Sequence, residues 1–239
     1  MTDRRYAALI DADNVSEKYI NAILDELSNE GIVTYKRIYG DWTKPALGSW
    51  KSVLLNHSIT PIQQYGYTTG KNSTDSAMII DAMDILYSGN VDGFCIVSSD
   101  SDFTRLAVRL RESGMYVIGM GERKTPTPFI SACNRFLYLE NLEKSESTNS
   151  VTAPAESVSL NKDKITRALQ TIIDEVSDED GWASLSEVGN ILLKRYPSFD
   201  VRSFGYTKLT PFVNHLGRFD IYSVPSEKGN VKVIYIRNK

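Results

Sequence analysis

Two pairs of carboxylates stand directly after apolar segments of this sequence. The apolar run at 93–97 leads into Ser-Ser-Asp-Ser-Asp at 98–102, and the apolar run at 6–10 leads into Asp-Ala-Asp-Asn at 11–14. Two neighbouring carboxylates repel each other unless a cation offsets their charge. Metal binding is therefore one chemistry that such pairs could perform. The other interpretation is that Ser99, Asp100 or Ser101 caps the helix that follows, which accounts for one acid and leaves the second unexplained.

A third carboxylate extends the pattern. Asp75 opens a helical segment after a polar loop at 66–73. Acids without histidine or cysteine form an all-oxygen site, which Mg²⁺ and Mn²⁺ prefer. Such an ion bridges phosphate oxygens and lowers the pKa of a bound water, which is the chemistry of phosphodiester hydrolysis. The sequence therefore predicts a set of five metal-holding carboxylates: Asp11, Asp13, Asp75, Asp100 and Asp102.

The elements that must position these acids alternate along the first 142 residues. Hydrophobic patterns predict strands at 6–10, 32–40, 59–65, 94–98, 115–120 and 136–139, and helices at 16–27, 42–55, 72–86 and 102–113. This alternation is typical of a parallel sheet with helices on both faces. Strand ends of such a sheet meet at one edge, so acids far apart in sequence can converge there.

The pattern changes beyond this region. Residues 143–160 are polar, rich in serine and threonine and without periodicity, which predicts a flexible linker. The remaining residues, 161–239, predict helices at 165–176, 182–193 and 204–216 and a hairpin of strands at 221–224 and 231–236. The second of these helices is expected to be entered through Ser184 or Ser186. Pro211 requires that the third of these helices either starts late, at Thr210, or is kinked. Three helices and a hairpin indicate a winged helix.

Composition and charge narrow the function classes. The chain has 239 residues and a formal net charge of −3, but residues 194–239 carry nine basic against three acidic side chains, a net of +6. A basic end suggests a polyanionic partner. The histidines, His57 and His215, and the cysteines, Cys95 and Cys133, lack metal-ligand spacing, which argues against zinc and histidine-based catalysis. With no bilayer-spanning segment or secretory signal, we expect a cytoplasmic protein without a membrane partner.

Other sites built on strand ends fit less well. Neither a Walker-type nor a dinucleotide-type glycine loop occurs, and the serines at 98–101 have no nearby base for nucleophilic catalysis. A receiver domain would carry a lysine after its fifth strand, where this chain has Glu122 and Arg123. Asp81 and Asp84 lie deeper in their helix and are expected to be solvated rather than ligands. Lys71 and Asn72 either contact phosphate or belong to a mobile loop.

Three ordered segments resemble the signature blocks of a known family. Ile-Asp-Ala-Asp-Asn at 10–14, Lys-Asn-Ser-Thr-Asp at 71–75 and Val-Ser-Ser-Asp-Ser-Asp-Phe at 97–103 are similar to those of the NYN domain. This domain is a branch of the PIN-like, FLAP-type nuclease superfamily, and the resemblance covers about 5–142. It implies a PIN-like α/β fold, a doubly wound parallel sheet sandwich, and a metal-dependent endoribonuclease. By this resemblance the catalytic acids are Asp11, Asp75, Asp100 and Asp102, supported by Asp13 and Asn14.

The C-terminal region resembles a second family. Its segments at 181–189, 206–209 and 219–221 are similar to the OST-HTH, or LOTUS, domain. That domain is a small winged helix of the α+β class, associated with RNA binding and in some members with docking onto helicases. The two domains in one chain resemble bacterial LabA-like proteins. The implied organisation is a nuclease domain at 1–142, a linker at 143–160 and a winged helix at 161–239.

The resulting hypothesis is an Mg²⁺- or Mn²⁺-dependent endoribonuclease that acts on single-stranded RNA. Its rival is a non-catalytic RNA-binding or regulatory adaptor with a residual metal site. The expected substrate contacts of the first domain are Asn14, Lys71, Asn72 and Ser99. Those of the second domain are Tyr206, Lys208 and Lys232. In the second domain, Arg218 and Lys228 are further expected phosphate contacts, and Phe212 is a further expected stacking residue. A protein partner of the winged helix and a homo-oligomer both remain open, as does the choice of direct metal ligands.

Overall fold

The computed structural model of the protein describes residues 3–65, 73–143, 161–225 and 232–239. The chain divides into two compact units, Met1–Asn149 and Ser150–Lys239. The predicted linker lies outside the described residues from 144 onward and stays a prediction. Lys71, Asn72 and Lys228 also lie outside them. Within the described ranges, no helix is both long enough and apolar enough to cross a bilayer.

The first unit contains a parallel sheet of six strands. The strands are β1 (Arg5–Asp11), β2 (Ile32–Gly40), β3 (Thr60–Gln63), β4 (Gly93–Val97), β5 (Tyr116–Gly121) and β6 (Arg135–Tyr138). They lie in the order β3-β2-β1-β4-β5-β6, and every adjacent pair is parallel. The chain thus begins at the centre of the sheet and winds outward in both directions. This confirms the predicted doubly wound α/β fold of the PIN-like type.

Helices cover both faces of this sheet. They are α1 (Ile20–Glu30), α2 (Trp50–His57), α3 (Ser73–Ser88), α4 (Thr104–Glu112), α5 (Thr127–Ala132) and α6 (Leu139–Glu143). One buried cluster joins the sheet to α1, α2 and α6, and a second joins its other face to α3, α4 and α5. Alternate residues of β1 belong to different clusters, as Ala8 and Leu9 show. The central strands are therefore buried on both sides, which explains their continuous apolar sequences.

The sheet edge that carries the acids is closely packed. A Cβ atom built on Gly121, at the end of β5, would lie 2.6 Å from the carbonyl oxygen of Ser98 and 2.6 Å from the hydroxyl of Thr125. Only glycine lets β5 approach the segment that follows β4 this closely. A hydrogen bond fixes the Ser98 backbone against β5: the Ser98 N–H donates to the Met120 carbonyl at 2.9 Å.

The second unit is a small α+β domain with its own core. Its elements are α7 (Lys162–Val176), β7 (Ala183–Ser184), α8 (Leu185–Arg195), α9 (Leu209–Leu216), β8 (Phe219–Pro225) and β9 (Lys232–Asn238). The three strands form an antiparallel sheet in the order β7-β9-β8. One buried cluster joins the inner side of this sheet to all three helices. The predicted winged-helix architecture is confirmed.

Some boundaries differ from the predicted ones for local reasons. The second helix of this unit begins at Leu185 with Ser184 as its N-cap, which is one of the two predicted entry residues. Trp182, which was predicted to mark this helix, precedes a short strand instead. The late-start alternative for the third helix is correct, since α9 begins at Leu209 and Pro211 falls in its first turn, where no intrahelical N–H bond is lost. In the predicted helix at 42–55, a 3-10 turn at Pro45–Leu47 precedes α2.

Candidate metal centre

The two central strands of the first unit bring the first acids together. β1 and β4 are neighbours at the point where the strand order reverses, which is where open α/β sheets form ligand-binding crevices. β1 ends at Asp11, and Ser98 follows β4 directly. The Ser98 hydroxyl donates a hydrogen bond to the Asp11 carboxylate at 2.7 Å. This bond joins the ends of the two strands beneath the site.

Asp11 lies at the buried bottom of the site. Its side chain is fully excluded from solvent, and burial raises its pKa above the ordinary value. The carboxylate also accepts hydrogen bonds from the Asn14 side-chain amide at 2.8 Å and from the Asp13 backbone N–H at 3.1 Å. These bonds favour the ionised form and partly oppose the effect of burial. The Asn14 amide thus orients Asp11, and its supporting role at a metal site stays a prediction.

Three other carboxylates can share one ion. Asp75, Asp100 and Asp102 each offer an oxygen, and these oxygens lie within 4.8 Å of one another. Asp75 is buried, Asp100 is half-buried and Asp102 is exposed, so the group opens to solvent. Asp100 also accepts a hydrogen bond from the Asp102 backbone N–H at 2.9 Å. The helix-capping interpretation of the sequence is thus correct for Asp100.

Asp75 lies at the electrostatic centre of all five acids. Its pKa is raised to about 6, first by burial and then by the negative charges of Asp11, Asp100, Asp102 and Asp13. Each of these carboxylates is therefore close enough to disfavour an ionised Asp75. The predicted convergence of the five acids at one sheet edge occurs in the structure. A bound cation would offset their mutual repulsion.

Asp13 contacts residues of two other elements. Its carboxylate accepts a hydrogen bond from the Thr74 hydroxyl at 2.9 Å and lies 3.4 Å from the ammonium nitrogen of Lys44. Lys44 was not predicted from the sequence. Its signal was its position shortly after β2, the strand beside β1, which places it at the same edge of the sheet as the acids. The Lys44 side chain is 52% exposed.

The deeper acids of α3 have different environments. Asp84 is exposed, as expected. Asp81 was expected to be solvated, and this prediction is wrong. Its carboxylate pairs with the Arg37 guanidinium and accepts a hydrogen bond from the Tyr39 hydroxyl, and only 19% of its side chain is exposed. Asp81 thus connects α3 to β2, a long-range contact that local spacing does not reveal.

Ser99 is held between two strand ends. Its hydroxyl accepts a hydrogen bond from the backbone N–H of Glu122 at 2.9 Å, and the residue is buried. This contact fixes the end of β4 relative to the end of β5. A contact between Ser99 and a substrate stays a prediction.

The predicted substrate residues of the second unit have mixed environments. Lys208 precedes α9 and is exposed, and Lys232 is exposed at the start of β9. Tyr206 is half-buried, with its ring centroid 5.5 Å from that of Phe212. The expectation that Phe212 could stack on a base is wrong, because the side chain is fully buried in the core of this unit. The helix α9 exposes only its polar face, and Phe212 lies on its buried, apolar face.

The donor set fits a hard divalent cation. The three clustered side chains offer oxygen only, and two more carboxylates lie close to them. Oxygen ligands from carboxylates, with positions left open to solvent, are the preference of Mg²⁺ and Mn²⁺. Asp75, Asp100 and Asp102 are therefore the residues that could hold such an ion directly, and Asp11 and Asp13 border them.

Comparison with known families agrees with this geometry. Residues 5–140 match the model of the NYN domain. The chain belongs to the NYN domain family. Residues 156–231 match the model of the OST-HTH/LOTUS domain. Both predicted resemblances are confirmed, and the pair of domains supports an RNA nuclease with an RNA-binding module.

Individual relatives extend over parts of the chain. An uncharacterized protein of Methanocaldococcus jannaschii is 28% identical over 123 residues, which cover 50% of this chain and 48% of that protein. The chain thus spans about half the length of this relative. A crystal structure of a protein of unknown function from Vibrio parahaemolyticus covers 56% of this chain and 91% of its own, at 21% identity and a TM-score of 0.48. A solution structure of an uncharacterized protein from Nitrosomonas europaea covers 38% of this chain and 89% of its own, at 28% identity and a TM-score of 0.29.

Proposed function

We propose that this protein is an endoribonuclease that cleaves single-stranded RNA with the help of Mg²⁺ or Mn²⁺. The observation that carries the proposal is the convergence of five carboxylates from the ends of β1 and β4 and the first turn of α3, three of them with oxygens within 4.8 Å of one another. This arrangement gathers five negative charges at a solvent-open edge, where Lys44 pairs with one of them, Asp13. A divalent ion offsets that charge and at the same time attracts phosphate.

The acids have different tasks in this proposal. Asp75, Asp100 and Asp102 hold the ion, and Asp11 fixes the positions of Ser98 and Asn14 beneath them. When bound, the cation supplies a Lewis acid for the phosphodiester and lowers the pKa of an attacking water.

Cationic and polar side chains near the acids then position the RNA. Lys44 is half-exposed beside Asp13 and is placed to contact a phosphate once a cation compensates the acids. Asn14, Ser99 and the predicted contacts Lys71 and Asn72 complete the substrate contacts that we propose for this domain.

The second domain binds the same RNA in this proposal. Lys208 and Lys232 are exposed, and the region from 194 to 239 has a net charge of +6. Each phosphate contact contributes a slope of about −0.7 in log affinity against log salt for single strands. The double variant Lys208→Glu with Lys232→Glu should therefore flatten the salt dependence of RNA binding by about 1.4. An unchanged slope would show that these lysines do not contact phosphate.

The nuclease activity is tested with purified protein and a 5′-labelled single-stranded RNA. Cleavage should require Mg²⁺ or Mn²⁺, stop with EDTA and be abolished in Asp100→Asn and in Asp11→Asn. The matched control is Asp84→Asn, which makes the same change at an exposed position of α3 outside the cluster. Equal cleavage by Asp100→Asn and the unmodified chain would refute the proposal, since the activity would then not arise at these acids.

The adaptor hypothesis makes a different prediction for the same titration. An adaptor with a residual metal site would bind the RNA in the presence of Mg²⁺ or Mn²⁺ and leave it uncut. The opening of the acidic group to solvent would let a substrate reach an ion held there, which the nuclease requires.

A further inference from the structure

Asp75 is placed in the metal centre in a different way from the other two acids that could hold the ion. Asp100 and Asp102 follow β4 closely, and two hydrogen bonds fix their segment. The Asp100 N–H donates to the Ser98 hydroxyl at 3.1 Å, and the Asp102 N–H donates to the Asp100 carboxylate at 2.9 Å. Asp75 instead lies in the first turn of the helix α3. Its distance from the other acids therefore depends on how the start of α3 is held against the edge of the sheet.

A hydrogen bond from Thr74 connects the start of α3 to the segment after β1. The Thr74 hydroxyl donates to the Asp13 carboxylate at 2.9 Å, across 61 positions of the sequence. Thr74 is only 7% exposed, so water competes little for this hydroxyl. A hydrogen bond to a carboxylate is roughly twice as strong as one between neutral groups. Because Thr74 immediately precedes Asp75, the bond acts directly beside that acid.

Other anchors of α3 lie further along the helix. Met78 and Ala82 are fully buried in the cluster between α3 and the sheet, and Asp81 pairs with Arg37 of β2. These contacts fix the body of α3 from its second turn onward. The N–H groups of a first helical turn have no intrahelical acceptor, which leaves that turn with the least backbone support. The contact of Thr74 therefore acts where the backbone holds the helix least.

Charge repulsion opposes the position of Asp75. The four neighbouring carboxylates disfavour its ionised form, as its raised pKa shows. Without a cation, this repulsion pushes the first turn of α3 away from the strand ends. The directed hydrogen bond of Thr74 opposes that movement.

Asp13 has protein donors on both of its carboxylate oxygens. Its Oδ2 atom accepts the bond from Thr74, and its Oδ1 atom lies 3.4 Å from the ammonium nitrogen of Lys44. The loop that carries Lys44 is itself closed, since the Lys44 N–H donates to the Asp41 carbonyl at 2.9 Å. Among the residues that the structure describes, the group of three acids with oxygens within 4.8 Å of one another does not include Asp13.

We propose that Thr74 is a positioning residue of the metal centre: its hydrogen bond to Asp13 holds the first turn of α3 so that the Asp75 carboxylate stays beside the other two acids that hold the ion. Asp13 acts in this arrangement as the acceptor for Thr74 and not as a ligand of the ion. The inference rests on the metal-dependent function proposed above and adds an uncharged residue to those that the site requires.

The test is a titration of the full chain with Mn²⁺ in the absence of RNA, in which electron paramagnetic resonance measures the unbound ion. Thr74→Val retains the shape of the side chain and removes the donor. It should weaken Mn²⁺ binding by about tenfold, the lower end of the effect of residues that hold metal ligands in place without contacting the metal. Thr74→Ser retains the hydroxyl and is the matched control, which should bind Mn²⁺ as the unmodified chain does. In the Asp13→Ala chain the acceptor is gone, so adding Thr74→Val should have no further effect.

A second comparison tests whether Asp13 is a ligand. Asp13→Asn and Asp100→Asn each remove one negative charge, but the amide oxygen at position 13 can still accept the bond from Thr74. Asp13→Asn should therefore weaken Mn²⁺ binding much less than Asp100→Asn does. Circular dichroism verifies that each variant folds, and this comparison remains decisive if Thr74→Val does not fold.

Several results would overturn the inference. It is wrong if Thr74→Val binds Mn²⁺ as tightly as the unmodified chain, if Thr74→Val weakens binding equally in the Asp13→Ala chain, or if Asp13→Asn costs as much affinity as Asp100→Asn. It is also wrong if the unmodified chain binds no Mn²⁺. Because RNA is absent, the result is separate from that of the nuclease test. Mn²⁺ binding that depends on Thr74, in a chain that leaves RNA uncut, would support the inference and refute the endoribonuclease.

Discussion

Replacing Asp75 by asparagine should stabilise the first unit in the absence of metal. The Asp75 carboxylate is buried in α3 and surrounded by four other carboxylates, which together raise its pKa to about 6. An amide of the same size removes the charge and retains the shape. Asp75→Asn therefore relieves burial of charge and repulsion without opening a cavity.

The pKa shift gives the size of the effect. A rise from the ordinary value of 3.8 to about 6 corresponds to ~3 kcal/mol of destabilisation when Asp75 is ionised. Burial is the largest cause, and an amide also loses some hydration when buried. We therefore expect a gain of ~1–3 kcal/mol in the free energy of unfolding at pH 8.

The sign depends on pH. The folded state holds the Asp75 proton up to about pH 6, whereas the unfolded state releases it near pH 3.8. The unmodified chain thus loses stability as pH rises between these values, and Asp75→Asn does not undergo this loss. The stability difference should be small at pH 4 and reach its full size above pH 7.

Urea denaturation in EDTA measures this difference. The chain has three tryptophans, of which Trp42 and Trp50 lie in the first unit, so a Trp182→Phe background makes tryptophan fluorescence report on that unit alone. Asp84→Asn is the matched control on the same helix and should change stability little. Added Mn²⁺ should stabilise the Asp75-containing chain more than the variant, which reverses or narrows the difference.

A result of the opposite sign would refute the reasoning. If Asp75→Asn lowers the stability in EDTA at pH 8, the ionised Asp75 carboxylate makes favourable contacts that outweigh burial and repulsion by the other acids. A difference that does not change between pH 4 and pH 8 would show that titration of Asp75 is not its cause.

Two further substitutions test the contacts around the site. Asp81→Asn removes the charged partner of Arg37 and one acceptor of the Tyr39 hydroxyl in a mostly buried setting. We expect the free energy of unfolding, measured by urea denaturation, to fall by about 3 kcal/mol. A fall below ~0.5 kcal/mol would show that the pair is solvated. Ser98→Ala deprives the buried Asp11 carboxylate of its hydroxyl donor and the Asp100 backbone N–H of its acceptor. We expect a loss of ~1–3 kcal/mol at pH 8 that diminishes as the pH falls and Asp11 is protonated. A loss independent of pH would show that the bond to Asp11 is not its main cause.

Much of the candidate site could be predicted from sequence because its acids follow strands. Asp11, Asp100 and Asp102 are placed by the ends of β1 and β4, so identifying those strands also located the acids. Asp75 could be added because it opens a helix in the same domain. Lys44 and the pairing of Asp81 were not predicted, since both depend on which elements lie side by side. Trp182 was assigned to a helix because its spacing to Leu185 is typical of one helix face. In the structure, Ala183 pairs with Ile236 as part of a strand, and this long-range pairing decides the local conformation.

The sequence by itself determined the alternation of strands and helices, the change to a winged helix and the residue types of the metal centre. These follow from local periodicity and from the chemistry of oxygen ligands, which need no knowledge of distant contacts. Only the tertiary structure decided the separate roles of the five acids. Burial depth and hydrogen bonding distinguish Asp11 from Asp102, although both are aspartates after a strand. Tertiary packing likewise decided that Thr74 donates to Asp13, because a contact between residues 61 positions apart is a long-range property that no segment contains alone.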